Sequence, residues 1–219
     1  MVKFILLLFG LTYISNNCNA IEVIGYVINQ NQDTIYGTIK LHKFSQITGA
    51  FMLNGFDMES LHYKVSFKSN ADKLYQTFST DMILGFGFSY KATDYVYKRF
   101  LLKSKSIFRK ARQKFRFLNL IYKGNVSLYQ NIINTNTPSI NAFNNTNITY
   151  YEYFLFSNSK GLLKVAMNEQ IRTMRDLLQQ FDIDEQYIKE IPENTKFKDI
   201  KIIVENYDKW LLVHYPKKE

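Results

Sequence analysis

The sequence predicts an α+β fold: a mostly antiparallel β-sheet of hairpins or a meander, followed by C-terminal helices. Three observations carry this reading. Up to residue 167, apolar and polar residues alternate with period two between short polar turns, which is the pattern of half-buried strands. From residue 168 onward the apolar spacing changes to three and four, the period of a helix. Strands come first and helices last, so the layers are segregated and do not alternate as in a parallel α/β sheet. A half-barrel and a sandwich both remain open as ways for such a sheet to close.

The elements follow in order. Residues 22–29 are β-rich, and residues 35–41 alternate Ile35, Gly37, Ile39 and Leu41 with Tyr36, Thr38 and Lys40. The polar stretch Gln30, Asn31, Gln32, Asp33 joins them as a hairpin. Leu61, Tyr63, Val65 and Phe67 alternate with His62, Lys64, Ser66 and Lys68, which puts His62 on a wet strand face. Residues 74–78 and 82–90 continue the pattern, and the glycines of Gly85-Phe86-Gly87-Phe88 mark a bend or a close backbone approach. Residues 95–102, 114–122, 126–133, 149–156 and 162–167 are further strands. Residues 134–147 are rich in Asn and Thr, contain Pro138 and carry no charge, so they read as an exposed loop. Ile171, Met174, Leu178 and Phe181 form a first helical stripe, with Asn168 as its cap. Asp184 caps a second helix that Pro192 stops, and Ile200, Ile203, Val204, Tyr207 and Leu211 form the third stripe.

The N-terminus has the layout of a secretory signal peptide: Lys3, a short apolar run from Phe4 to Leu11, and a small-x-Ala end at Cys18-Asn19-Ala20. The expected domain plan is therefore a signal peptide at 1–20, a strand-rich domain at 21–167 and a helical segment at 168–213 packed on it. Cleavage after Ala20 removes the only cysteine, which excludes disulfide and thiol chemistry from the mature chain. No later segment is apolar for long enough to span a bilayer as a helix. The expected location is exported: periplasmic, outer-membrane-associated or extracellular.

The net charge of +9 is localised. Residues 21–94 and 152–219 are each close to neutral, whereas residues 95–151 hold ten Lys or Arg and no Asp or Glu. Within that stretch Lys98, Arg99, Arg109, Lys110, Arg112, Lys114 and Arg116 are interleaved with Phe108, Phe115 and Phe117, and form the candidate anion-binding set. Such a stretch can meet a polysaccharide, a lipid headgroup or a nucleic-acid backbone. Export disfavours nucleic acid, and a solvated basic strand pair whose aromatics enter a core explains the same residues. Tyr36, Tyr75 and Tyr151 fall on wet strand positions and could form a sugar or peptide platform.

Catalytic signatures are missing from the sequence. His42, His62 and His214 lie far apart, without the spacing of a zinc motif, and read as surface histidines. Asp182, Asp184 and Glu185 resemble the start of a calcium loop, but Tyr187 stands where that loop needs glycine, so helix capping explains the acids. The isolated Gly85-Phe86-Gly87 is no dinucleotide cradle, since no helix follows it. The expectation is no catalytic residue, no metal and no cofactor, with a hydrolase whose carboxylates only the fold brings together kept as an alternative.

Several segments resemble a set of uncharacterised exported proteins of Bacteroidetes bacteria. Gly25-Tyr26-Val27-Ile28 followed by Asp33-Thr34-Ile35-Tyr36-Gly37-Thr38-Ile39 is similar to the hairpin that opens those proteins after their signal peptide. Thr80-Asp81-Met82-Ile83-Leu84-Gly85-Phe86 and Lys123-Gly124-Asn125-Val126-Ser127-Leu128-Tyr129 resemble their later strands. The resemblance implies a secreted, strand-rich body with a helical tail, and it carries over no catalytic residue. The functional expectation is a non-enzymatic envelope protein with a binding or structural role. Its expected partner is an envelope polysaccharide, a lipid surface or another envelope protein.

Overall fold

A computed structural model of the chain describes residues 20–45, 49, 55–106, 109–137, 146–168, 170–181 and 183–216. The predicted signal peptide lies outside these residues except for Ala20, which opens the first strand. Ten strands form one antiparallel sheet: β1 (Ala20–Asn29), β2 (Thr34–His42), β3 (Lys64–Ser69), β4 (Gln76–Ser79), β5 (Ile83–Tyr90), β6 (Thr93–Ser106), β7 (Arg109–Tyr122), β8 (Ser127–Thr137), β9 (Thr146–Ser157) and β10 (Gly161–Lys164). Their spatial order is β10-β9-β8-β7-β6-β5-β1-β2-β3-β4. Three helices follow, α1 (Met174–Gln179), α2 (Glu185–Glu190) and α3 (Ile200–His214). The predicted α+β class with segregated layers is the one observed.

The described residues fall into two compact units, one within residues 1–117 and 136–148, the other within 118–135 and 149–219. The division runs through β7. The reason is packing: Val126, Leu128 and Leu155 on the strands share one buried cluster with the helices.

In the first unit the β1–β2 hairpin turns where it was predicted. Asn29 Oδ1 accepts from the backbone amides of Asn31 and Asp33 at 2.9 Å each, and Gln32 takes the left-handed φ of 69° that the turn requires. One sheet face carries the core, with Val27, Ile39, Leu41, Phe67, Phe86, Phe88, Tyr97 and Phe117 all buried. Ring stacking dominates: Phe86 lies parallel to Tyr97 at 4.6 Å and edge-on to Phe117 at 5.2 Å. The cover over these rings is an irregular segment. Phe56 presents its edge to Phe88, Tyr90 and Tyr95 at 5.4–5.6 Å. A 3-10 turn at Ser60–His62 then leads into β3.

That turn corrects the sequence reading of residues 61–63 as strand and of His62 as a surface residue. His62 is 0% exposed. Its Nδ1 donates to the Phe117 carbonyl at 2.5 Å, and its ring meets the Tyr97 ring at 5.8 Å. The Asp57 side chain holds the turn by accepting from the Ser60 amide at 3.3 Å, while Ser60 Oγ donates to the Asp57 carbonyl at 3.1 Å. Capping of this kind lets the chain leave the strand ladder with its backbone groups paired.

In the second unit α1–α3 lay their apolar stripes on the strands. Ile171, Met174, Leu177, Leu178 and Ile200 are each at most 1% exposed. Asp184 caps α2 as expected, accepting from Gln186 N at 2.8 Å. The cap of α1 is Thr173, and Thr173 and Asp176 complete a capping box. Asn168 was expected there, but its side chain closes a turn one step earlier by accepting from the amides of Gln170 and Ile171. The Asn-rich stretch read as a loop over 134–147 also changes. β8 continues to Thr137 and β9 starts at Thr146, because ladder bonds form through the backbone and ask no apolar side chain of Asn or Thr. Residues 138–145 lie outside the described residues.

Candidate functional site

The first unit has a second sheet face, opposite its aromatic core. The β1–β2 register pairs Glu22 with Lys40, Ile24 with Thr38 and Tyr26 with Tyr36, and the β2–β3 register pairs Thr38 with Lys68. Even-numbered residues of β1, β2 and β3 therefore share this face. It is not an ordinary wet face. Ile24 is 83% and Tyr36 63% exposed, and the Tyr26 and Tyr36 rings stand 6.2 Å apart. Tyr75, on the chain leading into β4, lies with Lys68 Nζ at 5.0 Å and Lys40 Nζ at 5.7 Å from its ring centre.

Gly87 of β5 explains how Tyr26 lies down on the sheet. A Cβ at this position would stand 2.6 Å from the Tyr26 hydroxyl, so only glycine leaves room for the ring. The predicted close backbone approach at Gly85–Phe88 is thus realised and serves this face. Burial, with Tyr36 and Asp94 nearby, raises the Tyr26 hydroxyl above its ordinary range. Burial and then the neighbouring Glu22 carboxylate push Tyr75 up to about 12. Both phenols are therefore neutral across the physiological range, and the Tyr75 ring is flanked by two ammonium groups. Such a surface can stack on the C–H faces of a sugar ring and pair with carboxylate or sulfate. His42 sits on the same face, and desolvation followed by Lys40 lowers its pKa, so it adds a neutral imidazole.

The basic stretch behaves differently along its length. Arg99 donates to the Thr80 carbonyl at 3.1 Å and stacks on Phe115 at 4.8 Å. Arg116 lies over Tyr63 at 4.0 Å. These two guanidiniums are engaged inside the unit. Lys98 and Lys114 are exposed, and Lys98 Nζ stands 5.6 Å from the Phe100 ring. Arg109, Lys110 and Arg112 belong to β7, and their side chains lie outside the described residues. Of the tyrosines singled out in the sequence, Tyr36 and Tyr75 share this sheet face, whereas Tyr151 is exposed on β9 in the other unit. Tyr26, Lys40 and Lys68 were missed. The hairpin offered the signal, because a turn centred on Asn31 already pairs position 26 with 36.

The second unit holds two polar features. Asp208 of α3 accepts from the Tyr122 hydroxyl at 2.6 Å and from Asn125 Nδ2 at 2.8 Å. Gly124 makes room for it, since a Cβ there would overlap the Asp208 carboxylate. A cleft of about 480 Å3 opens between α2 and α3, floored by Tyr187, Ile191, Ile203 and Trp210, with Glu190 and Asp199 at its edge. Glu190 Oε1 accepts from Trp210 Nε1 at 3.0 Å. The Trp210 ring is stacked at 4.0 Å on His214, whose Nδ1 donates to the Trp210 carbonyl. Two carboxylates line this cleft, the residue type that the hydrolase alternative requires. Glu190 is solvent-exposed.

Among the described residues no group of three or more His, Cys, Asp or Glu side chains could hold a metal ion, and no helix is long and apolar enough to cross a membrane. Comparison with protein-family models, curated proteins and solved structures finds no match, so the reading of these surfaces stands on their own chemistry.

Proposed function

We propose that the chain is an exported, non-enzymatic binding protein of a bacterial cell envelope, and that the tyrosine–lysine face of its first unit holds an anionic polysaccharide. The observation that carries this reading is the placement of Lys40 and Lys68 over the Tyr75 ring, on the same face as the exposed Tyr36. Aromatic faces supply stacking area at small entropic cost, and paired ammonium groups supply charge selection. The signal-like N-terminus and the resemblance to exported Bacteroidetes proteins support the location. The exposed Lys98 and Lys114 extend the positive surface of the same unit and support the choice of an anion.

Retention of the purified mature chain on an immobilised sulfated or uronate polysaccharide, against a neutral dextran control, tests the reading. The double replacement of Lys40 and Lys68 by Gln should abolish the preference for the acidic matrix. Tyr36→Ala should weaken retention severalfold, the scale expected when one stacking ring is lost. Equal retention of wild type and both variants overturns the proposal. Export is checked separately: the mass of the protein recovered from the cell envelope should correspond to a chain starting at Ile21.

A further inference from the structure

The cleft between α2 and α3 is a second binding site with a different chemistry, and we infer that it takes a small amphiphilic cation: an aromatic or branched aliphatic body carrying a protonated amine or guanidinium. Three observations lead there. The volume of about 480 Å3 lies in the range of small-molecule sites. The floor is two rings and two isoleucine side chains, Tyr187, Trp210, Ile191 and Ile203, all largely buried, so it offers a flat apolar bed. The charges at the edge are of one sign. Glu190 and Asp199 line the cleft, and no Lys, Arg or His does.

Two of the neighbouring cations are engaged elsewhere. Arg175 is engaged by the Ile191 carbonyl and Glu193, and Lys201 pairs with Glu205 one turn along α3. Glu190 is held in place by Trp210 Nε1 through one carboxylate oxygen, which orients the group at the mouth. Asp199 immediately precedes α3, yet its side chain makes no capping bond to that helix. An apolar bed with carboxylates in its lining selects a cation with an apolar body over a neutral or anionic molecule of equal shape. A buried aromatic floor adds the ring quadrupole to the same preference.

Trp210 is the only tryptophan in the chain and forms part of the floor, so its fluorescence reads the site directly. Titration of the mature protein at fixed pH with 2-phenylethylamine should change Trp210 emission saturably. The same-shaped neutral 2-phenylethanol should bind about tenfold more weakly, the difference expected from two partly exposed carboxylates. Glu190→Gln keeps the acceptor for Trp210 Nε1 and removes only charge. It should weaken amine binding about threefold, and Asp199→Asn should do the same, with the alcohol unaffected by either. Near-UV circular dichroism of each variant, unchanged from wild type, shows that the floor is intact. Equal affinity for amine and alcohol overturns the cation assignment. Saturable binding of a Lys/Leu peptide without any response to the amine overturns the small-ligand assignment in favour of a protein partner. No saturable response to any probe overturns the site. None of these outcomes depends on the polysaccharide face.

Discussion

The two units cover a sheet in opposite ways. In the first, rings pack on rings, and an irregular segment with a 3-10 turn closes the core through Phe56, Leu61 and His62. In the second, helices lay aliphatic stripes on the strands, and the aromatics Tyr187, Tyr207 and Trp210 gather in one patch on α2 and α3. The contrast shows what a sheet face demands: apolar area of the right shape, from whatever segment can satisfy its own backbone bonds. A helix satisfies them internally. An irregular cover must satisfy them through side chains, and for that reason the first unit buries Asp57, Ser60 and His62 while the second covers its strands with Leu and Ile.

Deleting one core side chain in each unit should break the contrast most visibly. Phe86→Ala removes a ring that is fully buried and stacked, and should cost about 3–5 kcal/mol; Leu178→Ala should cost about 2–5 kcal/mol. Amide hydrogen exchange checks both. Phe86→Ala should accelerate exchange in β1, β5 and β6, and Leu178→Ala in the helices, with the second variant also lowering the urea midpoint read from Trp210. Next in size is the polar cover. His62→Ala leaves the buried Phe117 carbonyl without its donor and should cost about 1–3 kcal/mol, measured by urea unfolding. His62→Leu, similar in volume, should rescue little, because the loss is a hydrogen bond and not packing.

Alkaline pH probes both units together. Desolvation, then a carboxylate neighbour, holds Tyr75 in the first unit and Tyr122 in the second at about 12. A raised phenol pKa contributes stability that is fully present below the unfolded value of 10 and is lost as the pH climbs through 12. The urea midpoint should therefore fall between pH 10 and 12. In Asp208→Asn the phenol absorbance titration at 295 nm should include one group ionising earlier than in wild type. The smallest effect is local. β5 and β6 are joined by Lys91 and Ala92, both at positive φ (49° and 59°), in a two-residue turn that favours Asn-Gly. The combined change Lys91→Asn and Ala92→Gly should stabilise the first unit by about 0.5–1 kcal/mol in thermal unfolding.

The same turn shows where local sequence reading stops. Asn29 to Asp33 announces its hairpin because its side chains bond the turn, whereas Lys91-Ala92 carries no turn chemistry and is held by the flanking Tyr90–Thr93 pair. The strand ends beyond Asn134 escaped for a related reason: ladder bonds belong to the backbone, and Asn-Thr composition hides them. Half of the candidate face was readable. Tyr36 and Tyr75 stood on wet positions, and hairpin symmetry would have added Tyr26, but the meeting of Lys40 and Lys68 over Tyr75 needed the β2–β3 register. The cleft in the second unit was not readable, since its floor comes from two helices, and Trp210 stands outside the apolar stripe read along the third.

By itself the sequence determined the α+β class, the first hairpin, the three helical stripes with the Asp184 cap and the confinement of positive charge to one stretch. All of these are set by neighbours a few residues apart, where period and turn chemistry act. Tertiary structure alone decided that His62 is a core residue, that the division between units falls inside β7, that Gly87 exists to seat Tyr26, and that Glu190 and Asp199 face one apolar bed. Each of those depends on groups distant in sequence meeting at packing distance, and the free energy of such a meeting is written in no local pattern.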